Sequence, residues 1–262
     1  MRIAIAQMSI EPGDIEKNLK KGIDLIKEAQ SRECDLILLP EVWTTGFKFR
    51  SLKELAKRAD EYIGAVREVS RDMLICGTYV LDDPESDKLV YNSFLAFYGG
   101  RELFRYDKSM LFSVTGEDRY FKSGNLDQEC VFDFRGVTIG VTVCYELRFP
   151  ELFRRASFRG AKIHLHPAIW PMTRLDHWLT LTRARAIENQ VYLLCTNGTG
   201  ISGKWELAGH SAIYSPWGEV KANLETSVDI AWVDFDDSLI EEVREKIPSL
   251  KDSTRYLSGK YL

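Results

Sequence analysis

The sequence has 262 residues, 28% of them charged, with a formal net charge of −4. That length supplies an ample apolar core, and mild acidity without a basic stripe argues against a nucleic-acid partner. No apolar run approaches the roughly 20 residues that cross a bilayer, and "MRIAIAQMSI" lacks a signal peptide's apolar core and cleavage site, so a cytoplasmic protein with no membrane contact is expected.

The elements alternate from the start. "RIAIAQMSI" reads as a strand, and "DIEKNLKKGIDLIKEAQSRE" places Ile15, Leu19, Ile23 and Ile26 on one helix face with Asp14 as N-cap. "DLILLPE" is a short apolar strand of the kind buried on both faces. "SLKELAKRADEYIGAVREVSR" reads as one helix and "DMLICGTYVL" as a strand. Gly99-Gly100 joins "KLVYNSFLAFYGG" to "RELFRYDK" as a hairpin, and "QECVFDFRGVTIGVTVC" turns back near Arg135-Gly136. A helix follows Pro150, then strand "AKIHLHP", helix "RLDHWLTLTRARAIENQ" and strand "VYLLCTN". "AGHSAIYSPWGEV" holds a Pro-Trp-Gly turn between strands, "SVDIAWVDF" is a last strand, and "SLIEEVREKI" a closing helix. So many hairpins do not suit a doubly wound parallel sheet. Two mixed sheets packed together with helices outside fit better. No repeat or linker interrupts the chain, so residues 1–262 are expected to form a single domain.

Five cysteines, Cys34, Cys76, Cys130, Cys144 and Cys195, are widely spaced and odd in number. That pattern is neither a disulfide framework nor a zinc site, and most of them sit beside apolar runs as small buried hydrophobes do. Cys144 differs because it ends a strand. Glu41 ends "LILLPE" and Lys108 ends "ELFRYDK" in the same way. A carboxylate, an ammonium and a thiol at three strand exits can meet at one sheet edge, where open α/β folds place ligands. Together they make a coherent nucleophilic site: the thiol attacks, the carboxylate moves its proton, and the ammonium favours the thiolate and an oxyanion. The Tyr145 backbone N–H, one residue past the thiol, is the natural second oxyanion donor. Taken singly, each residue is as readily a solvated charge or a core thiol.

"LLPEVWTTGF", "YDKSMLF" and "VCYELRFPEL", in that order and at those separations, resemble the three signature segments of the nitrilase superfamily, the carbon–nitrogen hydrolases. "GEDRYFKSGN" is similar to that family's loop with a second glutamate, and "HWLTLTRARAIENQVYLLCTN" and "GHSAIYSPWGEV" resemble its later segments, so the likeness spans nearly the whole chain. The resemblance implies an α/β fold, a four-layer α-β-β-α sandwich. It implies catalysis by Glu41 as base, Lys108 at the oxyanion and Cys144 as nucleophile, with Glu117 in support and neither metal nor organic cofactor. It also implies a homodimer, through the helices after Cys144 and near "RARAIENQ". "CYELRFPEL" and "HW…ARAIENQ" look closest to the Nit-type ω-amidase branch, which hydrolyses small dicarboxylic acid monoamides such as 2-oxoglutaramate and succinamate. The family motif most often reads Cys-Tyr-Asp; Glu146 keeps the carboxylate and lengthens it. An N-carbamoyl amidohydrolase or a nitrilase shares the same three residues, and a non-catalytic interaction protein on this scaffold is the alternative from another class.

Other residues have two readings. Arg148 binds a substrate carboxylate or, preferably, pairs with an acid such as Glu151. Trp170 shapes a pocket wall or packs the core, and His177 touches substrate or caps its helix. His164 and His166 share a strand face at metal-ligand spacing, but no third ligand accompanies them in sequence. The "FRRASFR" cluster, Phe153 to Arg159, reads as a solvated or interface helix face.

Overall fold

A computed structural model describes residues 1–257. The first half contains β1 (Arg2–Gln7), α1 (Ile15–Ser31), β2 (Leu36–Leu38), α2 (Leu52–Ala56), α3 (Ala59–Val69), β3 (Leu74–Asp82), β4 (Val90–Tyr98) and β5 (Arg101–Asp107). The second contains β6 (Val131–Phe134), β7 (Val137–Val141), α4 (Pro150–Phe158), β8 (Ile163–Pro167), α5 (Leu175–Asn189), β9 (Tyr192–Thr196), β10 (Thr199–Ser202), β11 (Trp205–Ala208), β12 (Ala212–Tyr214), β13 (Val220–Asn223), β14 (Asp229–Asp234), α6 (Asp237–Lys246) and α7 (Ser249–Leu257).

Two six-stranded sheets result, ordered β14-β1-β2-β3-β4-β5 and β13-β12-β9-β8-β7-β6. In each, three central strands run parallel and the flanking strands antiparallel. Side-chain alternation along the strands builds the layers. Ile3, Ile5, Leu36, Leu38, Leu74, Cys76, Phe94 and Ala96 point into the core shared with the second sheet. Their neighbours Ala4, Ala6, Ile37, Ile75, Leu95 and Phe97 point the other way, onto α1 and α3. Helices α4 and α5 cover the outer face of the second sheet through Phe153, Ala156, Trp178 and Ala186. The layers are therefore α-β-β-α. Among the described residues no helix is long and apolar enough to cross a membrane.

The expected hairpin turns fall at Gly99-Gly100 and at Arg135-Gly136, all four with positive φ, as tight two-residue hairpins require. Three local features differ from expectation. The helix read over "SLKELAKRADEYIGAVREVSR" is broken at Lys57-Arg58: α2 packs Leu52 and Ala56 with Val42, Val80 and Phe121, and only its Leu55 joins the cluster in which α3 places Tyr62, Ile63 and Val66. Two separate packing surfaces cannot be met by one straight helix face. The hairpin β10–β11 and the short α7 also went unread, the first because its strands carry exposed Ile201 and Trp205 rather than a buried alternation.

The loop leaving β2 is anchored by Trp43, fully buried between two glycines. A Cβ on Gly22 of α1 would stand 2.2 Å from the Trp43 ring, and one on Gly77 of β3 would stand 3.0 Å from it. Gly22→Ala is thus expected to lower the melting temperature. Alanine favours a helix over glycine by about 1 kcal/mol, but overpacking costs about 1–3 kcal/mol and the indole has no free volume to move into. Thermal unfolding followed by circular dichroism checks the sign; a raised melting temperature would show that the Trp43 seat yields.

Candidate active site

Three chain exits converge where the two sheets meet. Glu41 lies three residues past β2, Cys144 three past β7, and Lys108 directly follows β5. The sheets are joined at this seam: Thr196 Oγ1 donates to the Leu39 carbonyl at 3.2 Å, and the Glu41 N–H reaches the Ala168 carbonyl at 3.4 Å. Both exits turn sharply. Val42 (φ +38°) and Cys144 (φ +46°) occupy left-handed backbone, unusual for non-glycine residues and most of all for a β-branched one. The Val42 N–H donates to Thr78 Oγ1 at 2.6 Å, which holds the first turn. Cys144 opens a 3-10 turn to Arg148, so the Tyr145 N–H belongs to a first turn whose N–H groups lack intrahelical acceptors.

The structure brings Glu41, Lys108, Glu117 and Cys144 together around one cavity of about 500 Å³. Lys108 Nζ donates to Glu41 Oε1 at 2.9 Å and to Glu117 Oε1 at 2.7 Å, with all three side chains at most 3% exposed. An ammonium has three N–H donors, so one is left for a ligand. Each carboxylate is further fixed. Glu41 accepts from Asn92 Nδ2 at 2.8 Å and from the Ile169 N–H at 2.9 Å, and Glu117 Oε2 accepts from the Phe112 N–H at 2.6 Å. Asn92 also offers its carbonyl to the Lys108 N–H at 2.9 Å. Asn92, Ile169 and Phe112 were not singled out in the sequence; the one available signal was a polar Asn in the apolar strand "LVYNSFLAF".

The electrostatics separate the roles. Burial alone would lower the Lys108 ammonium, but the charges of Glu117 and Glu41 outweigh it and hold it well above its ordinary range. Burial raises the Glu117 carboxyl above the usual carboxylate range, against the pull of Lys108. Burial, followed by the Glu41 charge, pushes the Cys144 thiol well up, with Lys108 pulling the other way. Burial and Glu41 thus favour the neutral thiol. Lys108 does act in the direction of the thiolate, but burial and Glu41 act against it. A base must remove the thiol proton during attack.

Glu146 explains its own length. Its Oε1 accepts from Tyr106 OH (2.8 Å), Ser109 N–H (2.8 Å), Ser109 Oγ (2.7 Å) and Met110 N–H (3.2 Å), and its Oε2 from the Val143 N–H at 2.7 Å. It ties the Cys144 turn to the segment just past Lys108. The other three candidates do not face the cavity. The Arg148 guanidinium lies 4.8 Å over the Trp170 ring and donates to His177 Nδ1 at 3.2 and 3.3 Å. Its partners are thus an aromatic ring and an imidazole, not Glu151. Trp170 is buried, its ring tilted 41° to that of Trp178 at 5.7 Å between centroids, and its Nε1–H donates to the Arg174 carbonyl at 2.8 Å. Substrate contact by Arg148, Trp170 and His177 thus has no support from the cavity lining. Lys48, Arg174 and Lys204 line the cavity; the first two lie in the sequence loops "VWTTGFKF" and "IWPMTRLD", and Lys204 lies at the β10–β11 tip. Below the turn, Thr142 Oγ1 bridges His164 Nε2 (3.0 Å) and His166 Nδ1 (2.8 Å), both rings fully buried.

A two-sheet sandwich closing on a buried carboxylate, ammonium and thiol is the framework of a hydrolase acting on carbon–nitrogen bonds other than peptide bonds. Residues 2–245 match the family model described as carbon-nitrogen hydrolase, and the chain belongs to that family. The 2-oxoglutaramate amidase of Bacillus subtilis (strain 168) is 34% identical over 255 residues, covering 95% of this chain and 96% of its own. The omega-amidase YafV of Yersinia enterocolitica is 33% identical, with 98% of each chain covered. The crystal structure of a CN-hydrolase superfamily protein from Xanthomonas campestris, with an arsenic adduct in its active site, superposes with a TM-score of 0.86 at 25% identity and 96% coverage of each chain.

Two outcomes follow from this geometry. Glu146→Gln places an NH2 group among five donors and is expected to cost about 1–3 kcal/mol of stability, with slower alkylation of Cys144; Glu146→Asp should recover part of both. Equal melting temperatures for wild type and Glu146→Gln would contradict the tether. Burial lowers His164 to about 3 and His166 well below its ordinary value. The unfolded chain, at about 6.5, therefore takes protons that the fold refuses. Their contribution is present above about pH 6.5 and is lost as pH falls toward 3, at up to about 1.4 kcal/mol per pH unit for each ring. His164→Gln should flatten the dependence of melting temperature on pH between 6.5 and 4.5; an unchanged slope would refute this.

Proposed function

We propose that the protein is a thiol-dependent amidohydrolase of the ω-amidase kind, which cleaves a small carboxamide to carboxylate and ammonia. The observation that carries this reading is the arrangement of Lys108 between Glu41 and Glu117, lining one cavity with Cys144. The named activities of the Bacillus and Yersinia relatives support the substrate class.

Glu41 takes the Cys144 proton as sulfur bonds to the amide carbon. The oxyanion is met by the third Lys108 N–H and the Tyr145 backbone N–H. Glu41 returns the proton to nitrogen, the C–N bond breaks, and ammonia leaves a Cys144 thioester. Water then gives a proton to Glu41 and its oxygen to the acyl carbon. The C–S bond breaks, and Glu41 reprotonates the sulfur. Two moderate barriers replace the single high barrier of direct amide hydrolysis. Glu117 keeps Lys108 charged and aimed, and its removal would leave the buried ammonium with one counter-charge instead of two.

Cys144→Ala is expected to reduce ammonia release from succinamate or 2-oxoglutaramate at least about a thousandfold, with an unchanged circular dichroism spectrum. Activity near the wild-type level would reject the mechanism. Release of carbon dioxide together with ammonia from an N-carbamoyl substrate would move the assignment to that class.

A further inference from the structure

One buried polar cluster beneath the Cys144 turn has no part in the bond-making steps. Thr142 follows β7 directly and stands two residues before Cys144. Its N–H donates to the Leu165 carbonyl at 3.2 Å, and its Oγ1 lies 3.0 Å from His164 Nε2 and 2.8 Å from His166 Nδ1. Both rings are fully buried among aromatic groups. Phe153 stacks on His164 at 4.3 Å between centroids, and Phe153 and Trp178 flank His166 at 5.6 and 5.9 Å. Gly140 leaves room for the His164 ring: a Cβ there would stand 2.8 Å from His164 Nδ1 and 2.9 Å from Ala156 Cβ. Burial foremost, with the Arg185 charge acting the same way, keeps both imidazoles uncharged at neutral pH.

The cluster therefore holds one proton on each ring and one on the hydroxyl, and each contact of Thr142 Oγ1 needs one of them. If Thr142 donates to His164, the His164 proton moves to Nδ1, against Gly140 and Ala156, where no acceptor lies. If both rings donate to Thr142, the hydroxyl proton has no acceptor among the described residues. If His164 Nε2–H donates to Thr142 and Thr142 donates to His166 Nδ1, both contacts are made and His164 Nδ1 is left as a bare acceptor. Orphan donors are rarer in protein interiors than under-used acceptors, which favours this third arrangement. The His166 proton then sits on Nε2, which has no close hydrogen-bond partner. The Cys144 backbone still acts on His166 in favour of its protonated form, as a carbonyl facing a ring N–H does and a peptide N–H does not. The contact is electrostatic rather than a close hydrogen bond.

We propose that His164, Thr142 and His166 form a one-way hydrogen-bond relay, running from His164 Nε2–H through the Thr142 hydroxyl to His166, whose Nε2–H faces the Cys144 carbonyl and makes His166 a positioning residue for the oxyanion donor. The Cys144 carbonyl and the Tyr145 N–H belong to one planar trans peptide and point in opposite directions. A donor that holds the carbonyl on the buried side therefore turns the Tyr145 N–H the other way. The two neighbouring peptides are held already: the Val143 N–H donates to Glu146 Oε2 at 2.7 Å, and the Leu147 carbonyl accepts from Arg185 at 3.1 and 2.8 Å. His166 acts on the peptide between them, at the residue with φ +46°. Polarisation along the relay strengthens its last donor, and an uncharged ring does so without placing a second cation beside Lys108. The effect on turnover rests on the amidohydrolase reading; the proton positions do not.

Long-range proton–nitrogen correlation spectra of the wild type at neutral pH read the relay directly, with His164→Gln and His166→Gln assigning the rings. Both imidazoles should carry the proton on Nε2 and leave Nδ1 bare. Thr142→Val removes the hydroxyl at nearly constant shape. It should lower kcat for succinamate about tenfold and change KM less than about twofold, and Thr142→Ser should recover most of the loss. His166→Gln, whose amide nitrogen reaches the place of Nε2, should keep more kcat than His166→Leu. Alkylation of Cys144 by iodoacetamide forms no oxyanion, so Thr142→Val should slow it less than about threefold. A general loosening of the site would instead slow alkylation and turnover together, and that result would overturn the proposal. So would a proton on Nδ1 of either ring, or a Thr142→Val enzyme with wild-type kcat. A wild type inert towards amides would reject the amidohydrolase reading, while the nitrogen spectra of the same protein would still decide the relay.

Discussion

The buried Lys108 ammonium, shared between Glu41 and Glu117, is the interaction on which the site depends. An unpaired charge at this depth would cost several kcal/mol, so the three groups hold each other in place. They come from the β2 exit, the β5 exit and the loop after it, and the fold must close correctly for any of them to be paired. A buried ion network of this kind contributes little net stability. Its effect is positional: two of the three ammonium donors are occupied, and one is left in the cavity that Cys144 also lines.

The thiol itself is held by strain and by a tether. Cys144 and Val42 both sit in left-handed backbone at strand exits, conformations that persist only where surrounding contacts over-determine them. Thr78 supplies that contact for Val42, and the five donors gathered by Glu146 supply it for the Cys144 turn. Glu146 also links the thiol to the segment after Lys108, so nucleophile and ammonium cannot drift independently. An aspartate at this position would need its backbone closer to Ser109, which gives the longer side chain a physical reason.

Much of the fold was legible because one rule, alternation along strands, operates almost everywhere in it. β1 to β4 send successive residues to opposite cores, and a period-two pattern is visible in the letters. The same rule shows why α2 and α3 were misread as one helix: their apolar spacing is continuous, but they answer to different cores. Hairpin β10–β11 has no buried alternation to read. At the site, Glu41, Lys108 and Cys144 stood out through three motifs in order, and Asn92 left only the trace of a polar residue in an apolar strand. Arg148 was drawn in by its place four residues past Cys144, and Trp170 and His177 by their place in segments that resemble active-site ones. They pack on one another beside the cavity instead.

Local sequence, then, determined most of the elements, the hairpins at Gly99-Gly100 and Arg135-Gly136 and the group of residues able to do thiol chemistry, because these follow from short-range periodicity and from motifs that need no partner to be recognised; the four-layer arrangement was implied by the family resemblance those motifs carry. Tertiary structure decided what those residues can do. The protonation of Cys144 depends on burial and on Glu41, 103 positions away in the chain. The cavity lining draws Lys48, Arg174 and Lys204 from three separate segments without a shared periodicity. Electrostatic interaction depends on distance through space and on exclusion of water, and neither quantity is written along the chain.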